Sequence, residues 1–272
     1  MELINRSGHE RFTIIRAVVD AEDAPRLYAV LAPWYHLLTA PDEYVEEAAF
    51  FLRLFREALG EAPRSLLELG SGGGNMASQL KAAIPHVTLT DVSPDMLALS
   101  ATVNPECEHL PGDMRDLRLD RAFDVVLVHD AVCYMTSEAD LRRAMRTAWL
   151  HTRPGGVAIF APDQVRERFA DAVECGGHDD ARRGLRYLMW TWDPDPTDDT
   201  YVADFSYLLR ERDQPMRSVY DRHVHGLFTT ATWLRLLAEV GFDRMEVRPL
   251  EHTQVPPDTV SVFLAHRPEP AN

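Results

Sequence analysis

The segment LLELGSGGGN, residues 66–75, constrains this chain more than any other. It is an apolar run that breaks into four glycines, with Glu68 caught between the leucines. An unbroken apolar run suits a strand covered on both faces. Glycines after it let the chain turn sharply and let another group approach the backbone. From here the pattern alternates. Strand SLLEL is followed by helix NMASQLKAAI, strand VTLT, helix SPDMLALSATV, strand FDVVLVH, helix SEADLRRAMRTAWL and strand GGVAIF. Such alternation predicts a parallel sheet with helices on both faces.

Ahead of the glycines, RFTIIRAVVD at 11–20 reads as a strand. Leu27, Leu31, Tyr35 and Leu38 recur at helical spacing, and 41–60 opens with Pro41 and closes with Gly60 as a helix does. After residue 161 the alternation stops. A short helical piece leads into LRYLMWTW, TYVADFSYLLRE and MRSVYDRHVHG, separated by the turns DPDPTDD and RDQP, which predicts an antiparallel three-stranded insertion. Helix TATWLRLLAEVGF and strands RMEVRPL and TVSVFLA then complete the core. The expected division is an N-terminal helical cap at 1–60, a core at 61–163 and 227–272, and an inserted β subdomain at 164–226.

Charge and composition remove several classes of function. A formal net charge of −15 opposes a phosphate backbone, and no basic patch offsets it, so no nucleic-acid partner is expected. No stretch approaches the ~20 apolar residues of a membrane span. Cys107, Cys133 and Cys175 show no metal spacing, and the N-terminus has neither a basic n-region nor a long apolar run. The expectations are a cytoplasmic location, a small-molecule partner, no membrane and no metal.

The glycines admit two readings. From Gly72 they fit G-x-G-x-x-A, with Asp91 where a dinucleotide-binding fold places its ribose acid, so a nicotinamide-dependent oxidoreductase competes. From Glu68 they fit E-x-G-x-G-x-G, with the acid still on the strand. Pyrophosphate favours bare N–H groups at a helix N-terminus, whereas a cationic ligand favours a nearby carboxylate. Asp91 ends the second strand, where a carboxylate can accept both hydroxyls of a ribose. Asp113 can accept from an exocyclic amine, and the Met114 thioether can lie against a purine face.

LLELGSGGG, DVSPDML, GDMRDL, FDVVLVHDAVCYM and RPGGVAIF occur in the order of class I S-adenosylmethionine-dependent methyltransferases, and the chain resembles that family over 66–160. The resemblance implies a Rossmann-like α/β fold: a mainly parallel seven-stranded sheet with helices on both faces, plus the inserted antiparallel sheet. It also implies S-adenosylmethionine as donor and S-adenosylhomocysteine as product. The implied cofactor residues are Glu68, Gly70, Ser71, Gly72 and Gly74, then Asp91, Val92 and Met96, then Asp113 and Met114, with His129 at the end of a strand.

A narrower similarity is to amino-sugar N,N-dimethyltransferases, which implies methylation of an amine nitrogen in secondary metabolism. A C- or O-methyltransferase of an aromatic indole or phenol is the alternative. Tyr134, His223, His225 and Tyr35 are the candidate catalytic residues. A neutral imidazole can accept a proton near pH 7, and the Tyr35 ring can meet a sulfonium cation. Asp221, His223 and His225 alternate on one strand face, a metal-like spacing, but methyl transfer needs no metal and hydrogen bonding is the expected role. Leu188, Trp190 and Trp192 share a face that suits a substrate wall or a homodimer contact through the inserted sheet equally.

Overall fold

The computed structural model of the protein describes residues 25–254, 256 and 259–270, so the strand expected at 11–20 lies outside the described residues. Seven strands form one sheet in the order β10-β11-β5-β4-β1-β2-β3. They are β1 (Ser65–Leu69), β2 (His86–Asp91), β3 (Glu108–Pro111), β4 (Phe123–His129), β5 (Thr152–Ala161), β10 (Asp243–Pro249) and β11 (Ser261–His266). β1 runs parallel to both β2 and β4, and only β11 runs against its neighbours. The chain order therefore reverses between β1 and β4, and the carboxyl ends of those two strands border the crevice where such sheets take ligands.

Both faces of the sheet are covered. Leu66 and Leu67 are adjacent, point to opposite faces and are both fully buried. Leu66 packs with Phe51 and Phe55 of α2 (Val45–Leu59) and with Met76 and Leu80 of α3 (Asn75–Leu80). Leu67 packs with Leu141 and Met145 of α5 (Glu138–His151) and with Trp233 and Leu237 of α6 (Thr230–Val240). The helix α4 (Pro94–Val103) starts where Ser93 accepts the Met96 N–H and Pro94 occupies the first turn.

The insertion is a separate antiparallel sheet in the order β6-β7-β8-β9. It has four strands, one more than expected: β6 (Ala172–Gly176), β7 (Arg183–Trp192), β8 (Thr200–Glu211) and β9 (Arg217–Gly226). The segment β6 is short and mostly exposed, so it carries no apolar alternation to announce it. The helical piece expected before it is a single turn in which the N–H groups of Arg168 and Phe169 donate to the Val165 carbonyl.

The N-terminal cap also differs. The region 26–38 is two 3-10 turns, Arg26–Tyr28 and Ala32–Trp34, followed by the single turn α1 (Tyr35–Leu38). Pro33 supplies no N–H and breaks the helix that the leucine spacing suggests. Leu27, Leu31, Trp34 and Leu37 pack on Leu185, Tyr207, Leu209 and Val219 of the antiparallel sheet. This face is the one opposite Leu188, Trp190 and Trp192, which are exposed. The tryptophans therefore line no wall of the crevice. No helix among the described residues is long and apolar enough to cross a membrane.

Trp233 joins α6 to the sheet by stacking on Phe263, with centroids 4.8 Å apart. Trp233→Ala is expected to cost about 3–5 kcal/mol. Urea denaturation of the variant measures it, and a loss below about 1 kcal/mol would remove this contact from the core.

Candidate active site

The glycine loop is held from below by β2. Gly70 and Ser71 donate their N–H groups to the Thr90 carbonyl at 2.8 and 2.9 Å. The Asp91 carboxylate then clasps two segments at once, accepting the Gly72 N–H at 2.9 Å and the Ser93 N–H at 2.8 Å. Burial raises the Asp91 carboxyl from its ordinary value, while the N–H groups of Ser93 and Gly72 act against that rise. Each carboxylate oxygen retains a lone pair for a further donor.

Two buried polar atoms beside this clasp have no partner, Glu68 Oε2 and Ser71 Oγ. Burial pushes the Glu68 carboxyl up to about 7. Unpaired buried polar groups are costly and occur where a ligand or water completes them. A donor-rich cationic group at this loop would satisfy both, so these residues fit an S-adenosylmethionine-like ligand.

The glycines have unequal roles. A β-carbon on Gly70 would lie 2.9 Å from the Met114 methyl and collide with Ala131, which shows how closely Met114 borders the loop. Gly74, at φ +78°, is required by packing instead: a β-carbon there would strike Ser100 and Asn104. Met96 is fully buried with its methyl group near Gly72, whereas Val92 is exposed.

Asp113 is already engaged. It accepts the Arg115 N–H at 2.8 Å and the Arg115 guanidinium at 2.6 and 2.9 Å. Burial pushes the carboxyl up, but Arg115 outweighs this and holds it below the usual range. An exocyclic amine would have to share this carboxylate with Arg115.

His129 is turned toward α2. Its Nε2 lies 2.9 Å from Glu47 Oε1 and 3.1 Å from Asp130 Oδ1. Burial alone would push the imidazole down, but the Asp130 and Glu47 carboxylates outweigh it and raise it to about 10. His129 thus acts as an internal counter-ion of an acidic crevice rather than as a group aimed at the loop. Glu47 had no motif to announce it.

The substrate-side candidates converge. Tyr134 follows β4, and its hydroxyl lies 2.7 Å from His223 Nδ1 and 2.9 Å from the Tyr28 hydroxyl. His225 packs edge-on against the Tyr134 ring at 4.8 Å, and neither of its ring nitrogens has a partner. Burial pushes His225 down to about 3, so it is neutral. Tyr35 lies across Gly72 and Gly73, and the His36 ring meets the Gly73 carbonyl at 3.1 Å. Sequence spacing missed Tyr28. Its partner Tyr134 is 106 residues away, and its carbonyl accepts the Ser93 hydroxyl at 2.5 Å. Among the described residues no three His, Cys, Asp or Glu side chains form a metal-holding group.

Comparison with known proteins places this site in context. Residues 66–156 match the family described as methyltransferase domain. The chain is 32% identical over 135 residues to a dTDP-4-amino-2,3,4,6-tetradeoxy-D-glucose N,N-dimethyltransferase of Saccharopolyspora spinosa, covering 49% of this chain and 54% of that one. It spans about half the length of the curated relatives it matches. The structure superposes on DesVI of Streptomyces venezuelae with a TM-score of 0.76 at 24% identity, covering 87% of this chain and 98% of DesVI. It superposes on S-adenosylmethionine-bound CalS10, an amino pentose methyltransferase of Micromonospora echinaspora, with a TM-score of 0.69 at 24% identity, covering 82% and 91%. These likenesses establish the class I methyltransferase fold.

The His129–Glu47 pair has a pH signature. A group raised in the folded state, from an ordinary value near 6.5 to about 10, gives stability that is whole below about pH 6.5 and lost as pH rises through 10. His129→Gln is therefore expected to destabilise the fold most near pH 6, by about 3–5 kcal/mol. The gap should shrink above pH 9 in urea titrations. A neutral His129 at pH 7 by NMR would contradict the pair.

Proposed function

Taking 66–156 as a methyltransferase domain, we propose that the chain is an S-adenosylmethionine-dependent methyltransferase acting on the amine nitrogen of a small molecule in secondary metabolism, a nucleotide-linked amino sugar first. The observation that carries this reading is the Asp91 clasp beside two unpaired buried acceptors, Glu68 Oε2 and Ser71 Oγ. Asp91 would accept ribose hydroxyls, and Glu68 would face the cationic end of the cofactor. Met114 and Met96 would border the adenine and the loop. When bound, the cofactor supplies an electrophilic methyl group on a positively charged sulfur.

The chain's remaining task is to align an acceptor and free its lone pair. Burial holds the Tyr134 phenol well above its ordinary value, so Tyr134 can take a proton only as it passes its own to His223. Tyr134 and His223 are accordingly the proposed proton acceptors. Tyr35, lying over the glycine loop, would exclude water and present its ring to the sulfonium. His225 is too low to serve as base and would act by packing and by hydrogen bonding to the acceptor.

The proposal extends to a cytoplasmic enzyme, consistent with three unpaired cysteines, and to a homodimer through the exposed Leu188, Trp190 and Val224 face. Sedimentation of wild type against Trp190→Glu tests that contact, with dissociation expected.

Calorimetric titration with S-adenosylhomocysteine should show binding, and NAD should show none. Asp91→Ala should weaken binding by about 1.5–3 kcal/mol through lost charge-assisted bonds. Mass spectrometry should detect methyl addition to dTDP-3-amino-3,6-dideoxyglucose. NAD binding with no S-adenosylhomocysteine binding would overturn the reading.

A further inference from the structure

His223 is buried between two oxygens of different character. On one side Nδ1 meets the Tyr134 hydroxyl at 2.7 Å; on the other Nε2 meets Asp221 Oδ2 at 3.2 Å. Asp221 is itself 4% exposed and accepts two further bonds, from the Arg26 N–H at 3.0 Å and the Leu27 N–H at 2.8 Å. Burial pushes the Asp221 carboxyl up, but His223 and these backbone donors outweigh it and hold it below the usual range. An ionised carboxylate can only accept, so Nε2 of His223 carries a proton toward Asp221, and the tautomer with a single proton holds it there. Its Nδ1 lone pair is left facing Tyr134.

We propose that Asp221 is a positioning residue for methyl transfer: it fixes His223 in the Nε2–H tautomer, and it does so only when 26–27 are docked on the antiparallel sheet. The inference rests on the amine-methylation reading above. An alkyl amine reaches the site as an ammonium. Its N–H bond breaks as a Tyr134 O–H bond forms; the former Tyr134 O–H bond breaks as Nδ1–H forms. The products are a neutral amine with a free lone pair and an imidazolium paired with Asp221. After methyl transfer the imidazolium returns its proton through Tyr134 to solvent. Nothing is oxidised or reduced.

The surrounding groups leave this route to His223. His225, on the same strand, is neutral. Tyr207 of β8 is held protonated by burial, and so is Tyr28 from the N-terminal segment. Asp163 and Cys133, beyond the ends of β5 and β4, act on the Tyr134 phenol, which they help to hold protonated. Asp221 is thus the one carboxylate within hydrogen-bond distance of His223 among the described residues.

The test is Asp221→Asn. With its oxygen at the Oδ1 position still accepting the Arg26 N–H, the asparagine places its NH2 group at the Oδ2 position, gives up the Leu27 N–H, and donates to His223 Nε2, which forces the proton to Nδ1. Imidazole 15N NMR is expected to show Nε2–H in the wild type and Nδ1–H in the variant. With dTDP-3-amino-3,6-dideoxyglucose as probe, turnover at pH 7 is expected to fall ~100-fold while S-adenosylhomocysteine affinity stays within about twofold. The defect should fade at alkaline pH, where the amine loses its proton to water unaided. A wild-type His223 in the Nδ1–H form, an unchanged tautomer in the variant, or a loss equal at every pH would overturn the proposal. A variant that does not fold leaves the wild-type tautomer to decide it. A wild type that binds no S-adenosylhomocysteine and methylates nothing would instead refute the methyltransferase reading, and the NMR result would still judge Asp221.

Discussion

The site depends on the docking of one irregular segment, 26–38, between two sheets. Its leucines are buried against β7, β8 and β9, while Tyr35 and His36 press on the glycine loop after β1. Without that segment Asp221 would lose two backbone donors, Tyr134 would lose Tyr28, and Ser93 would lose the carbonyl it donates to. Hydrogen bonds join Ser93 with Tyr28, Tyr28 with Tyr134, Tyr134 with His223, His223 with Asp221, and Asp221 with Leu27, and the Leu27–Tyr28 peptide bond closes the circuit. The neutral members contribute about 0.5–1.5 kcal/mol net each, and the bonds to ionised Asp221 about 1.5–3 kcal/mol. Together they set one geometry for groups contributed by four stretches of chain.

Charge explains why the crevice suits a cation. Glu68, Asp91, Asp130 and Glu47 border the ends of β1, β2 and β4, and His129 is their internal counter-ion. Burial pushes the Glu68, Asp91 and Asp130 carboxyls up while Glu47 pairs with His129, so the first three are poised to ionise fully against a cation. A ligand bearing a sulfonium or an ammonium would stabilise those carboxylates in their charged form, whereas a pyrophosphate would oppose it. The E-x-G-x-G-x-G reading of the loop and the structure therefore agree for an electrostatic reason.

Much of the core was legible because its signals are local. The apolar strands and the glycine turn each declare themselves within about ten residues, and Asp91 lies where the alternation puts a strand end. The circuit was not legible, because Asp221 and Leu27 are 194 residues apart and no periodicity links them. His223 and Tyr134 were chosen from the sequence, yet their partners Asp221 and Tyr28 were not given these roles. Leu188, Trp190 and Trp192 were correctly grouped on one face, but a strand pattern cannot say which face turns inward. His129 looked ligand-facing from its strand-end position, and only the packing of α2 brings Glu47 to it.

Hydrogen–deuterium exchange read by mass spectrometry, with and without saturating S-adenosylhomocysteine, tests the central claim directly. If the docked segment and the glycine loop together form the cofactor site, amides of 26–38, 70–75 and 91–93 gain protection in concert, while those of β6 are unchanged. Protection confined to regions outside these three, or no change on adding the ligand, would contradict the account.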